Sequence, residues 1–261
     1  MIKTIPSQLK KRQKEILLLL YRFRFLKRSQ LQILLNHKQF SRIIIWLNDL
    51  TKNTYVRRYF DQKIAPDVSV YSLGTSARSY FIKHPEEKMH TKLLDRVWRE
   101  QKYSLSFRNH WVLLADIYIS LLSLTKETGA TLKFWTQVDL HGMKYLIKPA
   151  PDTFFSITEK SGLVKRYFLD IFDSNPTRGE MYTRISQYIY YFQKQYWQDH
   201  NKTSFPIIIF VAPNDWAKGY LQRTTRKLLQ QKGIEIEFYL TTWTEIQKHG
   251  FNRQTLHKII L

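Results

Sequence analysis

Apolar positions along the first eighty residues follow two different periods. From Leu9 onward Leu9, Ile16, Leu17, Leu20, Phe23 and Leu26 recur at broadly helical spacing, which predicts a helix over 9–25 preceded by Lys10, Lys11, Arg12 and Lys14. A second short helix is predicted over 29–35 with Ser29 as its cap, and Asn36-His37 reads as a turn. The third runs over 38–52. Its buried stripe is Phe40, Ile43, Ile44, Leu47 and Leu50, leaving Lys38, Gln39, Ser41, Arg42, Ile45 and Asn48 on the other side. The period then changes. Residues 54–60 and 68–73 are rich in Val and Tyr and flank a loop holding Lys63, Pro66 and Asp67, which predicts a β-hairpin.

Residues 84–107 are basic and show no motif. A strong helical pattern follows over 109–128, with Trp111, Leu114, Ile117, Tyr118, Leu121 and Leu122 on one face and Gly129 as a natural C-terminal stop. Strands are predicted over 131–138, 151–157 and 165–172, then a long amphipathic helix over 178–200. A buried strand over 205–212, a helix over 216–232 after Asp215, and a last strand over 234–240 complete the pattern.

Three helices and a hairpin make a winged helix-turn-helix. The order helix, three strands, helix, strand, helix, strand is that of the restriction-endonuclease-like core. The expected fold is therefore an α+β, α/β chain: a winged helix-turn-helix over 1–83, a connector over 84–108, and a restriction-endonuclease-like α/β domain over 109–261.

Composition adds a partner. The chain has 42 Lys and Arg against 21 Asp and Glu, a formal net charge of +21. Residues 1–110 hold 23 of the basic residues and 8 of the acidic ones, so the N-terminal part is the polyanion binder. A phosphate backbone is the expected anion, with salt-sensitive affinity. In a winged helix the third helix enters the major groove of double-stranded DNA, so Lys38, Gln39, Ser41 and Arg42 are the expected contacts, with Arg57, Arg58 and Lys63 near the backbone. No cysteine is present, which excludes disulfides and thiolate metal sites and fits a reducing cytoplasm. Apolar runs fall far short of the ~20 residues a bilayer span needs, and the basic N-terminus lacks the marks of a signal peptide. A membrane partner is not expected.

Candidate chemistry lies in Pro151-Asp152 and Asp170-Ile171-Phe172. Two acids on neighbouring strands are the metal-holding half of a nuclease site, and hard oxygen ligands suit Mg²⁺ or Mn²⁺. The usual lysine two residues beyond the second acid is replaced by Phe172. Arg184, on the following helix, could stabilise charge in its stead but is a poor proton shuttle. If the domain is an active enzyme, Asp152, Asp170 and Arg184 are its catalytic set. Alternatively Asp170 is an inward acid satisfied by Arg184 or a backbone donor. The eight histidines lack metal-ligand spacing, and the eight dispersed glycines form no phosphate-binding loop.

Several stretches carry a resemblance. Residues 21–35, the wing-closing Val-Tyr-Ser-Leu-Gly-Thr-Ser-Ala of 70–77, His110 with Asp116, Pro151-Asp152 and Phe168-Leu169-Asp170-Ile171 occur in the order seen in the replication-relaxation family of plasmid and mobile-element proteins, which the chain resembles over nearly its whole length. Arg184 and Tyr188 fall where that family tends to carry a basic residue and a tyrosine. The resemblance implies a winged helix joined to a PD-(D/E)XK-like domain, and DNA binding in plasmid replication or its control. A replication initiator or relaxase and a second copy of the chain are the protein partners it suggests. It leaves catalysis open: Asp170 replaces a commoner glutamate, Phe172 interrupts the motif, and Gln137 stands where a further acid is expected. A metal-dependent endonuclease or nickase and a transcriptional repressor are the other readings.

Overall fold

A computed structural model of the protein describes residues 9–60, 69–87, 89–100 and 102–260. The chain divides between Ala115 and Asp116 into two compact units.

In the first unit the order is α1 (Lys11–Phe23), β1 (Leu26–Lys27), α2 (Arg28–Leu34), α3 (Phe40–Lys52), β2 (Val56–Phe60) and β3 (Ser69–Leu73). Strand β3 is central, pairing antiparallel with β2 from Val56↔Leu73 to Phe60↔Ser69 and with β1 at Leu26↔Tyr71. A two-residue strand is too short to show a period, which is why β1 is invisible in the sequence pattern. The predicted stripe of α1 is buried at Ile16, Leu17, Leu20 and Phe23. Ser29 is no cap. It lies exposed inside α2, whose preceding residue Lys27 donates its backbone N–H to Gln30 Oε1 at 2.8 Å. Phe40 also departs from its predicted burial: it is 40% exposed, with the Arg28 guanidinium 4.2 Å from its ring centre.

The wing closes at Gly74. A Cβ there would come within 2.3 Å of the Thr54 carbonyl oxygen, so only glycine lets the chain pass. Helices α4 (Thr75–Lys83) and α5 (Thr91–Glu100) follow, and α6 (Leu105–Thr128) begins in this unit and ends in the next. Helix α5 is tied to the end of α1 by a buried ion pair. Glu100, at the end of α5, accepts from Arg24 Nη1 and Arg96 Nε, each at 3.0 Å. Arg24 also lies 3.9 Å over the Trp111 ring.

The second unit is a six-stranded mixed sheet with helices. After α6, which ends at Gly129 with φ 65°, come β4 (Thr131–Thr136), β5 (Thr153–Thr158), β6 (Val164–Ile171), α7 (Arg178–Gln193), α8 (Tyr196–Asn201), β7 (Ile207–Ala212), α9 (Asp215–Lys232), β8 (Phe238–Thr242), α10 (Trp243–His249) and β9 (His257–Lys258). The strands lie in the order β4-β5-β6-β7-β8-β9, antiparallel through β4–β6, parallel through β6–β8, and antiparallel again at β9. The single helix expected over 178–200 breaks at Gln195, which takes a left-handed φ of 53°. The last long strand starts at Phe238, with Ile234 and Ile236 buried ahead of it. One sheet face, carrying Phe168, Ile208, Phe210 and Phe238, packs against Met181, Ile185, Tyr188 and Ile189 of α7 and Leu221 and Leu228 of α9. Among the described residues no helix is long and apolar enough to cross a membrane.

Candidate functional site

Side chains alternate along a strand, so Phe168, Asp170 and Phe172 of β6 and its continuation share one face. That face is the one α7 covers. Phe168 and Phe172 belong to the core, and the Phe172 ring meets Phe210 edge-on at 5.3 Å. Asp170, 9% exposed, is therefore an acid held in a hydrophobic layer. Its charge needs a partner there.

Helix α7 supplies it. Thr177 caps this helix, accepting from the Glu180 N–H at 3.1 Å while Glu180 accepts from the Thr177 N–H at 2.7 Å. The register so set puts Arg184 and Tyr188, four residues apart and hence on one helical face, over Asp170. Arg184 forks onto the carboxylate, Nε to Oδ2 at 2.9 Å and Nη2 to Oδ1 at 2.8 Å. Tyr188 donates its hydroxyl to Oδ2 at 2.7 Å and accepts from Arg184 Nη2 at 3.2 Å. The remaining Arg184 donors on Nη1 reach the Pro149 carbonyl at 2.8 Å and Gln187 Oε1 at 3.2 Å. All five guanidinium N–H groups are thereby engaged within the protein.

Electrostatics follow from burial. Desolvation pushes the Asp170 carboxyl above the ordinary carboxylate range, against the opposing pull of Arg184. Desolvation works to lower the guanidinium, but Asp170 and Tyr188 outweigh it and Arg184 is raised above its usual value. Burial also holds the Tyr188 phenol well above its usual value, so it stays a donor.

Asp152 lies just ahead of β5, whose first residue, Thr153, pairs with Leu169 of β6. This places both acids at one end of neighbouring strands. Asp152 is 8% exposed, and its Oδ2 accepts the Ile171 backbone N–H at 2.8 Å while Oδ1 accepts from Gln137 Nε2 at 3.0 Å. Gln137, at the end of β4, is thus a partner of Asp152 rather than a further acid. Both carboxylates accept donors within the protein on each of their oxygens, Asp152 from a backbone N–H and an amide, Asp170 from a guanidinium and a phenol. Among the described residues no group of three or more His, Asp and Glu could hold a metal ion. The cationic helper is equally committed, since Arg184 has no N–H left for a phosphate. Asp173, beyond Phe172, is exposed.

The other residues singled out from the sequence lie in the first unit. Ser41 and Arg42 are exposed in the first turn of α3; Lys38 and Gln39 are exposed just before it, Gln39 being the helix's cap position. Ile45, one turn on, is 55% exposed. His37 fixes the turn, its Nδ1 accepting from the Gln39 N–H at 3.2 Å and its ring lying edge-on to Trp46. Arg57 and Arg58 are exposed on β2. Arg57 lies 5.3 Å from the Tyr59 ring centre, whereas Arg58 donates through Nε to Ser69 Oγ at 2.8 Å. Lys63 lies outside the described residues. Tyr188, where the family tends to carry a tyrosine, joins Asp170, and Gln137 joins Asp152; sequence spacing alone does not show which acid each of them meets.

The chain belongs to the replication-relaxation family, whose model matches residues 17–207. No curated protein matches the sequence. Among solved structures the chain is similar to the adhesin competence repressor AdcR of Streptococcus pyogenes at 20% identity and a TM-score of 0.26, over 47% of this chain and 85% of that one. It is similar to a ZitR mutant of Lactococcus lactis at 18% and 0.27, over 47% and 77%. Restriction endonuclease FokI shares 13% identity at a TM-score of 0.31, over 98% of this chain and 48% of FokI.

Proposed function

We propose that this protein is a double-stranded DNA-binding protein of a plasmid or mobile element, acting in replication control, in which a nuclease-like domain serves without cutting. The observation that carries the non-catalytic half is the engagement of Arg184 within the protein. Arg184 places all five donors on Asp170, Tyr188, Pro149 and Gln187, and Asp152 accepts from Ile171 and Gln137. An αβββαβ order with an acid just ahead of the second strand and another on the third supports descent from a PD-(D/E)XK-like fold. Here the acids, the arginine and the tyrosine lock α7 onto the sheet.

The DNA-binding half rests on the first unit. The connectivity α1-β1-α2-α3-β2-β3, with β3 between β1 and β2, is that of a winged helix. The start of α3 presents Lys38, Gln39, Ser41 and Arg42 to solvent with no acidic neighbour before Asp49, and Arg57 and Arg58 lie on the wing. Gln39 and Ser41 suit base edges, Arg42 a guanine or phosphate.

One experiment addresses both halves. Supercoiled plasmid carrying the element's origin is incubated with the protein and Mg²⁺ or Mn²⁺, and binding is followed in parallel by mobility shift. The expected outcome is a shifted plasmid with no nicking, and a weaker shift for Arg42→Ala. Nicking that both Asp152→Ala and Asp170→Ala abolish would overturn the non-catalytic reading in favour of an endonuclease.

A further inference from the structure

The second unit carries a surface that neither the winged helix nor the buried acid network uses. Helix α9 shows Trp216, Tyr220, Arg223 and Lys227 at intervals of four, three and four residues, which places them in one stripe along the helix. Beside it, α7 contributes Arg178 and Tyr182 one turn apart. These helices pack against each other, and Tyr182, Tyr220, Arg223 and Lys227 line a shallow groove of about 380 Å³ between them. Trp216 is 50% exposed and Tyr182 48%. Large aromatic side chains so exposed in neighbouring positions forgo burial that would otherwise stabilise the fold.

Their arrangement is specific. The Trp216 and Tyr220 rings lie nearly parallel, 21° apart with centres 6.3 Å distant, and the Arg178 guanidinium lies 6.0 Å from each. Gly219 falls on the same stripe, between Trp216 and Arg223; a Cβ there would come within 3.2 Å of Arg223 Nη1. A glycine inside a helix costs about 1 kcal/mol relative to alanine, so the open backbone between ring and guanidinium is a departure from helix-forming preference. No acidic residue lines the groove, and Glu180 on α7 is turned into the capping box with Thr177.

We infer that this α7–α9 face binds single-stranded DNA, bases stacking on Trp216 and Tyr182 and the backbone phosphates tracking Arg178, Arg223 and Lys227. Exposed rings offer every base a π-face, and a groove whose lining holds Arg223 and Lys227 and no acid matches a phosphate chain. Paired DNA hides its base faces in the helical stack, so exposed rings add little to duplex affinity. The inference stands apart from the proposed winged-helix contact, because it concerns different residues and a different form of DNA.

The test is fluorescence anisotropy of the full-length protein with a labelled twenty-nucleotide oligothymidine, an oligouridine of the same length and a duplex. Trp216→Ala with Tyr182→Ala is expected to weaken oligothymidine binding by about 10- to 100-fold, at the scale of lost base stacking, and to leave duplex binding within about twofold. Lys227→Glu, a substitution at an exposed position, is expected to weaken the same binding by a salt-dependent margin. It keeps the test decisive if the aromatic double variant unfolds. Unchanged oligothymidine affinity in these variants, or an equal loss on the duplex, would overturn the inference. So would tighter binding of oligouridine, which would make RNA the occupant.

Discussion

Asp170 and Arg184 hold one another in a layer of phenylalanines, and the energy of that arrangement is asymmetric. Removing one partner leaves the other charged, buried and unpaired, which costs about 3–5 kcal/mol, whereas replacing both by apolar groups of similar size is close to neutral. Asp170→Ala is therefore expected to lower the urea unfolding midpoint strongly. Asp170→Leu combined with Arg184→Met should recover most of the loss. If Asp170→Ala unfolds at the same urea concentration as the parent, the lock is not structural. Asp152→Ala strands the buried Ile171 N–H, for which about 1–3 kcal/mol is expected in the same measurement. An acid-and-arginine lock was one of two readings open in the sequence. Its geometry was not, because which acid Tyr188 and Gln137 meet depends on how their elements pack on the sheet.

Helix termini set the registers on which these contacts depend. Thr177 and Glu180 cap α7 reciprocally, and Thr177→Ala is expected to cost about 1 kcal/mol, read as a small drop in thermal midpoint, since Glu180 then loses its hydroxyl partner. Glu245 plays the corresponding part in α10, accepting from the Thr242 N–H at 2.8 Å and bridging Lys218 at 2.9 Å and His257 at 2.9 Å. Burial raises its pKa, but the hydrogen bonds from Lys218, His257 and the Thr242 backbone outweigh it and bring the group down to about 2 from 4.5. A folded pKa below the unfolded one means that the unfolded chain binds more protons in that interval. The stabilisation is present above pH 4.5 and is lost as pH falls towards 2. Urea midpoints measured between pH 5 and 2 should fall more steeply for the parent than for Glu245→Gln; parallel curves would remove Glu245 from the account. Both boxes are legible as Thr-x-x-Glu, yet only the one in α7 opens a helix predicted from the pattern. The helix α10 is seven residues long, too short for its period to stand out.

At the scale of the whole molecule, charge and connectivity divide the labour. With 23 Lys and Arg against 8 Asp and Glu in residues 1–110, duplex binding through the winged helix should fall steeply with salt. A plot of log affinity against log salt should have a slope of about −5 to −9 for 6–10 phosphate contacts. Arg42→Ala and Arg57→Ala should each flatten it by about one contact, and a flat plot would refute the electrostatic footprint. Much of this was determined by the sequence alone: the family, the period change from three helices to a hairpin, the αβββαβ order, and the basic excess at one end. These are local or additive properties, set by spacing along the chain and by counting charges. Only the tertiary structure shows which groups Asp152, Asp170 and Arg184 contact. Whether a carboxylate meets a metal, a guanidinium or a backbone N–H depends on which strand face a helix covers. Residues 35 positions apart, such as Pro149 and Arg184, are brought into contact by that packing and by nothing in their own neighbourhoods.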